Sequence, residues 1–222
     1  MHIAELWRYP IKSMRGERLQ QAAISPEGIP GDREIVVFSQ AGQVLTSRRY
    51  PRLLGLQGSI APDGVPTVNG NPWDSEAAWR LADEATGQKT TLLRIAGTER
   101  FDVLPLLVAT DGAIHHLALD GRRLRPNILI DGVEGLAERD WQGKIIAIGD
   151  TRIHAAQLRQ RCVTTTYDPD TLAQDRSVLV RIVRELEGTI ALDCSVLVPG
   201  TIRVGDAVEV LGSLSAAPAS GR

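Results

Sequence analysis

The stretch RQRCVTTTYDPDT, residues 159–171, holds one of only two cysteines in 222 residues. Cys162 has Arg159 and Arg161 on one side and three threonines on the other. Neighbouring guanidinium groups favour a thiolate, the form that ligates a metal or attacks an electrophile. Asp168, Pro169 and Asp170 give a turn signal just downstream, so the cysteine reads as part of a loop. Composition alone favours a buried structural cysteine; the arginines and the turn argue against it. Cys194 lies inside the apolar run IALDCSVLV, and there the structural reading is expected.

Two other chemistries are weaker. A protease-type nucleophile needs a histidine base, and only His2, His115, His116 and His154 are available, with no nucleophile signature around Cys162. Structural zinc is not expected, because the chain has no CxxC or HxxxH pair. The cations offer more. RYPIKSMRGE carries Arg8, Lys12 and Arg15, and PGDREIVVF puts Arg33 at a strand mouth. TSRRYPRL adds Arg48, Arg49 and Arg52, and RRLRPNILI brings Arg125 and Asn127. Singly, each reads as a surface residue. Together they recur at strand starts beside Gly or Pro, where side chains can converge at one barrel end and suit an anionic ligand, phosphate above all.

The elements that must position these groups are mostly strands. Short apolar runs at 2–9, 33–38, 43–47, 53–61, 78–82 and 90–95 read as strands, with 33–47 as a hairpin. Beyond residue 96, strands are expected at 127–130, 144–149, 151–156, 189–198 and 201–211. A short helix fits within 109–120, and a helical turn within 132–141. The strongest helix spans 176–187, with Val178, Leu179, Ile182, Val183 and Leu186 on one face and Asp175 and Gly188 at its ends. The fold class is therefore β-rich α+β, with uneven short strands favouring barrels over a doubly wound sheet.

Composition narrows the function. Hydrophobic residues make up 43% and charged residues 23%, ordinary values for a globular protein, and the net charge of −2 gives no basic field for nucleic acid. No apolar run suits a membrane span, and MHIAELWRYPIK has no leader pattern. Two distant cysteines do not make a disulfide framework, so the cytoplasm is the expected compartment.

In order and spacing, these fragments resemble the MOSC proteins, named after the C-terminal domain of molybdenum cofactor sulfurase. The likeness is to the two-part group that includes the amidoxime-reducing component. It rests on YPIKS, GDR before an apolar strand, LTSRRYPRL, RLRPNILIDG, AERDWQGKIIAIGD, RCVTTTYDPDT and VPGTIRVGDAVEVL, and it reaches to about residue 211. The resemblance implies a MOSC-like β-barrel core with a few helices, packed against an N-terminal β-barrel-like subdomain. It divides the chain into 1–95 (N-terminal domain), 96–212 (MOSC domain) and a disordered tail, 213–222.

It also implies a molybdenum cofactor with Cys162 as protein ligand to the metal, a role that suits a soft thiolate. Cofactor contacts carry over to Lys12, Ser13, Arg33, Arg125 and Asn127, with Arg161 beside the ligand. The implied activity is two-electron reduction of small N-hydroxylated substrates, fed by a separate electron-donor redox protein. Asp102 is the candidate proton donor or orienting group. The alternative is a carrier that delivers the cofactor, or sulfur as a Cys162 persulfide, to other enzymes. Two departures stand out. Relatives follow the aspartate with two hydroxyl residues, where this chain has Val103 and Leu104, and the aromatic-rich segment before VLVPG is shortened to GTIALDCSVL.

Overall fold

The computed structural model describes residues 1–213. In the first half, β1 (His2–Arg8), β2 (Glu17–Leu19), β3 (Gln21–Ile24), β4 (Ile35–Ser39), β5 (Gly58–Ile60), β6 (Pro66–Val68) and β7 (Asn71–Pro72) precede α1 (Glu76–Thr86) and β8 (Thr90–Arg94). The second half runs β9 (Leu106–Thr110), α2 (Asp111–His116), β10 (Ile128–Asp131), β11 (Lys144–Ile148), β12 (Thr151–Gln160), α3 (Ser177–Leu186), β13 (Thr189–Val198), β14 (Gly200–Arg203) and β15 (Val208–Ser213). Ser213 thus ends a strand, and residues 214–222 of the expected disordered tail lie outside the described residues.

Eight strands form one sheet in the order β15-β11-β12-β13-β9-β10-β1-β2, antiparallel except where β9 and β10 run parallel. The sheet curls until its ends meet. His2 bridges Ala207, Ile3 N–H donates to Asp206 O at 2.9 Å, and Val208 N–H donates to Met1 O at 3.0 Å. The closure joins the start of β1 to the segment leading into β15, with β2 outside the seam. The barrel interior is aliphatic, with Ile3, Leu6, Val108, Ile128, Ile146, Ile153 and Leu192 all fully enclosed. The β3–β14 pair packs Ala22, Ile24 and Ile202 against the same core.

A second core lies under α1, β4, β6 and β8, around Ile35, Val37, Leu53, Val68, Ala78, Ala82 and Leu92. A third lies where α2 and α3 cover the sheet, with Val178, Ile182 and Leu186 buried. The fold is strand-rich α+β, as the sequence indicates. No helix among the described residues is long and apolar enough to cross a membrane.

Several local expectations need correction. Residues 78–82 lie in α1, not in a strand. Ser75 caps this helix through the Ala78 N–H at 3.2 Å, and Gly87 ends it in the left-handed region. Residues 43–47 do turn back beside β4, with Ser39 N–H donating to Gln43 O and Leu45 N–H to Val37 O, both at 2.8 Å, but they form a bridge at Val44 rather than a full strand, and the strand paired with β4 is β8. Residues 51–55 form a 3₁₀ turn before β5. The run 201–211 is divided into β14 and β15 by the turn at Gly205-Asp206. On α3, Val183 is 55% exposed and so lies off the buried face.

Candidate functional site

Loop ends from both halves of the chain converge on a hollow of about 140 Å³. Lys12, Ser13, Arg33, Asp102, Arg125, Asn127, Arg161 and Cys162, all singled out from the sequence, line it together. Six cations and two carboxylates face the space, Arg48, Arg159 and Asp193 completing the charged set.

The backbone there is unusual. Ser13, Arg33 and Arg125 hold φ values of 72°, 56° and 56°. Left-handed backbone costs a residue with a Cβ about 1–2 kcal/mol, and such strain concentrates at ligand sites. Backbone hydrogen bonds hold these segments, two of them long-range and the one at Arg125 closing a local 3₁₀ turn. Lys12 N–H donates to Ile35 O at 2.8 Å, Arg33 N–H to Tyr9 O at 2.7 Å, and Arg125 N–H to Arg122 O at 3.1 Å.

Behind Arg33 lies a buried polar knot. Asp32 is fully buried; it accepts from the Tyr9 N–H at 2.7 Å, from the Arg33 guanidinium, and from Asn127 Nδ2 at 3.1 Å. Asn127 also accepts from the Leu107 N–H at 3.1 Å and from Arg33 at 3.3 Å. Its carboxamide is therefore used within the protein and aims Arg33 at the hollow. The Tyr9 ring backs both cations, with the guanidinium carbons of Arg33 and Arg125 at 4.9 and 4.3 Å from its centroid.

Asp102 sits among three cations. Lys12 Nζ is 2.8 Å away, Arg48 2.9 Å and Arg159 3.5 Å. Burial works to raise its pKa, but the hydrogen bond and charge of Lys12, with the two arginines, hold the carboxyl below its ordinary value. At neutral pH it is a carboxylate, which suits orientation of Lys12 and Arg48 better than proton donation.

Cys162 lies two residues beyond the end of β12 and caps the start of a 3₁₀ turn over Val163–Thr166. Its thiol is half-buried. Burial alone would raise its pKa, but hydrogen bonds from the Thr164 hydroxyl and N–H, and the charges of Arg48 and Arg161, bring it below the usual thiol value. Arg161 donates to Leu124 O at 2.8 Å, while its buried Nε has no partner among the described residues. Burial draws Arg161 and Arg125 down to about 10. Among the described residues neither makes an ion pair, so both are available to an outside anion. Cys194, by contrast, is sealed in the barrel core, where burial pushes its thiol well up.

Sequence reasoning missed Asp193. It is 1% exposed and accepts from Arg159 at 2.9 Å. Burial raises its pKa against the pull of Arg159. The β12–β13 register slips between Ala155 and Gln157 and again between Leu158 and Gln160, and this bulged strand carries Arg159 to the hollow. The available signal was an acidic residue inside the apolar run IALDCSVLV.

Comparison with known proteins gives consistent matches. A family profile described as MOSC N-terminal beta barrel domain covers residues 1–103, and one described as MOSC domain covers 106–209. Human mitochondrial amidoxime-reducing component 1 is 26% identical over 95% of this chain and 83% of its own length. Human mitochondrial amidoxime reducing component 2 is 25% identical over 93% and 82%. Among solved structures, the YUAD protein from Bacillus subtilis aligns with a TM-score of 0.49 at 16% identity over 94% of each chain.

Proposed function

This chain belongs to the MOSC family, and from that premise we propose that it holds a molybdenum cofactor and reduces small N-hydroxylated compounds. What supports the reading is one observation: a thiol whose pKa is held below the ordinary thiol value stands in a hollow lined by six cations, two of them without a carboxylate partner among the described residues. When bound, the cofactor supplies an electron store and a Lewis acid.

The residues present fit such a group. Cys162 offers one soft ligand, and among the described residues no cluster of three His, Cys, Asp or Glu could hold a metal by itself. The remaining donors would belong to the cofactor. Arg125, Arg161 and Arg33 would hold its anionic tail, and Arg161 Nε, unpartnered among the described residues, would be available to it. Lys12, positioned by Asp102, adds a fourth cation. Ser13 lines the same space.

Phe101 and Leu104 form an apolar wall beside Asp102, which suits substrates with an apolar flank next to the N–O group. The overall change is R–NHOH plus two electrons and two protons to R–NH₂ and water. The electrons come from a separate redox protein. We also place the boundary between the two units at residues 95/96, and the protein in the cytoplasm on its cysteine usage; the relatives are named as mitochondrial.

A second reading is favoured by the partial exposure of Cys162: a carrier of the cofactor, or of sulfur as a persulfide. Protein purified from a molybdenum-replete host separates the two. Molybdenum and pterin together with turnover of a hydroxylamine under an artificial reductant support the reductase. Bound cofactor without turnover, or metal-free protein releasing sulfur from Cys162 to dithiothreitol, supports the carrier and overturns the reductase.

A further inference from the structure

A second hollow, of about 170 Å³, opens beside the first. Arg125 and Thr164 line both and so lie between them. Its other walls differ in kind. Trp7 and Tyr9 lie near-parallel, with ring centroids 6.5 Å apart and planes 19° off, and Tyr167 and Leu54 add apolar surface. Gly16 lies so close to Tyr9 that a Cβ there would stand 2.5 Å from the ring, so the chain reverses tightly against this aromatic ledge.

The cations around this ledge are not equivalent. Arg122 is held by Asp120 at 2.6 Å and Asp170 at 2.7 Å, and Arg123 by Asp168 at 3.1 Å. Arg15 and Arg125 make no ion pair among the described residues. Among the described residues the Arg15 side chain donates to Pro169 O at 2.5 Å, and its buried Nε has no partner. Arg125 stacks on the Tyr9 ring and also lines the first hollow, so Arg15 is the uncommitted guanidinium of this one.

We propose that this second hollow is a binding site for a small planar aromatic anion, a conjugated ring bearing a carboxylate or phosphate. The ring packs against Trp7 and Tyr167, and the anionic group meets Arg15, whose Nε has no partner among the described residues. It adjoins the Cys162 hollow across Arg125 and Thr164 but draws on none of the groups assigned to that hollow's ligand.

Calorimetric titration of the cofactor-free chain with 2-naphthoate tests the proposal. Saturable binding is expected. Cyclohexanecarboxylate, an anion without a flat ring, and 2-naphthalenemethanol, a flat ring without charge, should each bind about tenfold or more weakly. Arg15→Gln and Trp7→Leu, which touch only the second hollow, should each weaken naphthoate about tenfold, and Arg15→Lys should recover part of the loss. Circular dichroism identifies any variant that has unfolded, and the other then decides. Equal binding of all three probes overturns the proposal. So does loss of binding in Lys12→Gln but not in the folded second-hollow variants, which would assign naphthoate to the first hollow. Exclusion of naphthoate from protein already loaded with cofactor would assign the second hollow to the cofactor's far end, and equally overturns it.

Discussion

Asp32 and Asn127 are 95 residues apart in sequence, yet the Asn127 carboxamide donates to the Asp32 carboxylate at 3.1 Å inside the protein. Both also bind Arg33. The cation at the hollow is thus fixed by a polar contact between the two halves of the chain.

Arg33 and Arg125 should therefore fail differently. Arg33→Leu removes a charged partner from fully buried Asp32 and should cost about 1.5–3 kcal/mol of stability, read by denaturant unfolding. Arg125→Leu strands no carboxylate. It should leave stability nearer the wild type while lowering cofactor occupancy in a metal assay. Unchanged occupancy in both variants would remove them from the site.

The two cysteines should separate by reactivity. Native protein treated with iodoacetamide near neutral pH should take up one label, on Cys162, and Cys194 should react only after denaturation, as peptide mass spectrometry would show. Cys162→Ala should abolish molybdenum-dependent turnover, and Cys194→Ala should leave bound molybdenum in place. Full turnover in Cys162→Ala would refute the ligand assignment.

Asp102→Asn probes the carboxylate among Lys12, Arg48 and Arg159. The native pKa is depressed, so the ion-pair contribution is present above the ordinary aspartate value of 3.8 and is lost as pH falls through the lower native value. The site is partly exposed, so the variant should lose only about 0–1 kcal/mol at neutral pH. The gap in melting temperature should close in strong acid. A gap that persists there would point to packing rather than charge.

Glu138 carries the opposite sign. It is 1% exposed, accepting from the Thr110 hydroxyl at 2.6 Å and the Ala191 N–H at 2.9 Å. Burial raises its pKa. Stability from the protonated form is full below the ordinary glutamate range and is lost as pH rises through the raised native value. Glu138→Gln can keep both bonds, so its stability should vary less with pH across that window. Parallel stability curves for the two proteins would contradict this.

The site was more legible than the elements that carry it. Cys162, Lys12, Arg33 and Arg125 stand in short motifs whose order survives in the sequence, and all reach one hollow. Asp193 escaped notice because its only mark is a charge within an apolar strand. Helix α1 escaped because its buried face is made of Ala78, Ala82 and Ala85, small residues that give little hydrophobic contrast beside exposed Trp79. Val183 was misplaced on α3 because apolar spacing could not tell which edge of the stripe turns outward. Strand partners such as β4 with β8 depend on contacts more than 50 residues apart, which local pattern does not encode.

The seam that joins His2 to Ala207 also bears on biosynthesis. The first strand to leave the ribosome lacks this partner until about two hundred residues have followed, roughly 10–40 s at ordinary elongation rates. The barrel can therefore close only once Ala207 has been made, so any ligand held by loops from both halves meets a chain whose sheet is already nearly complete.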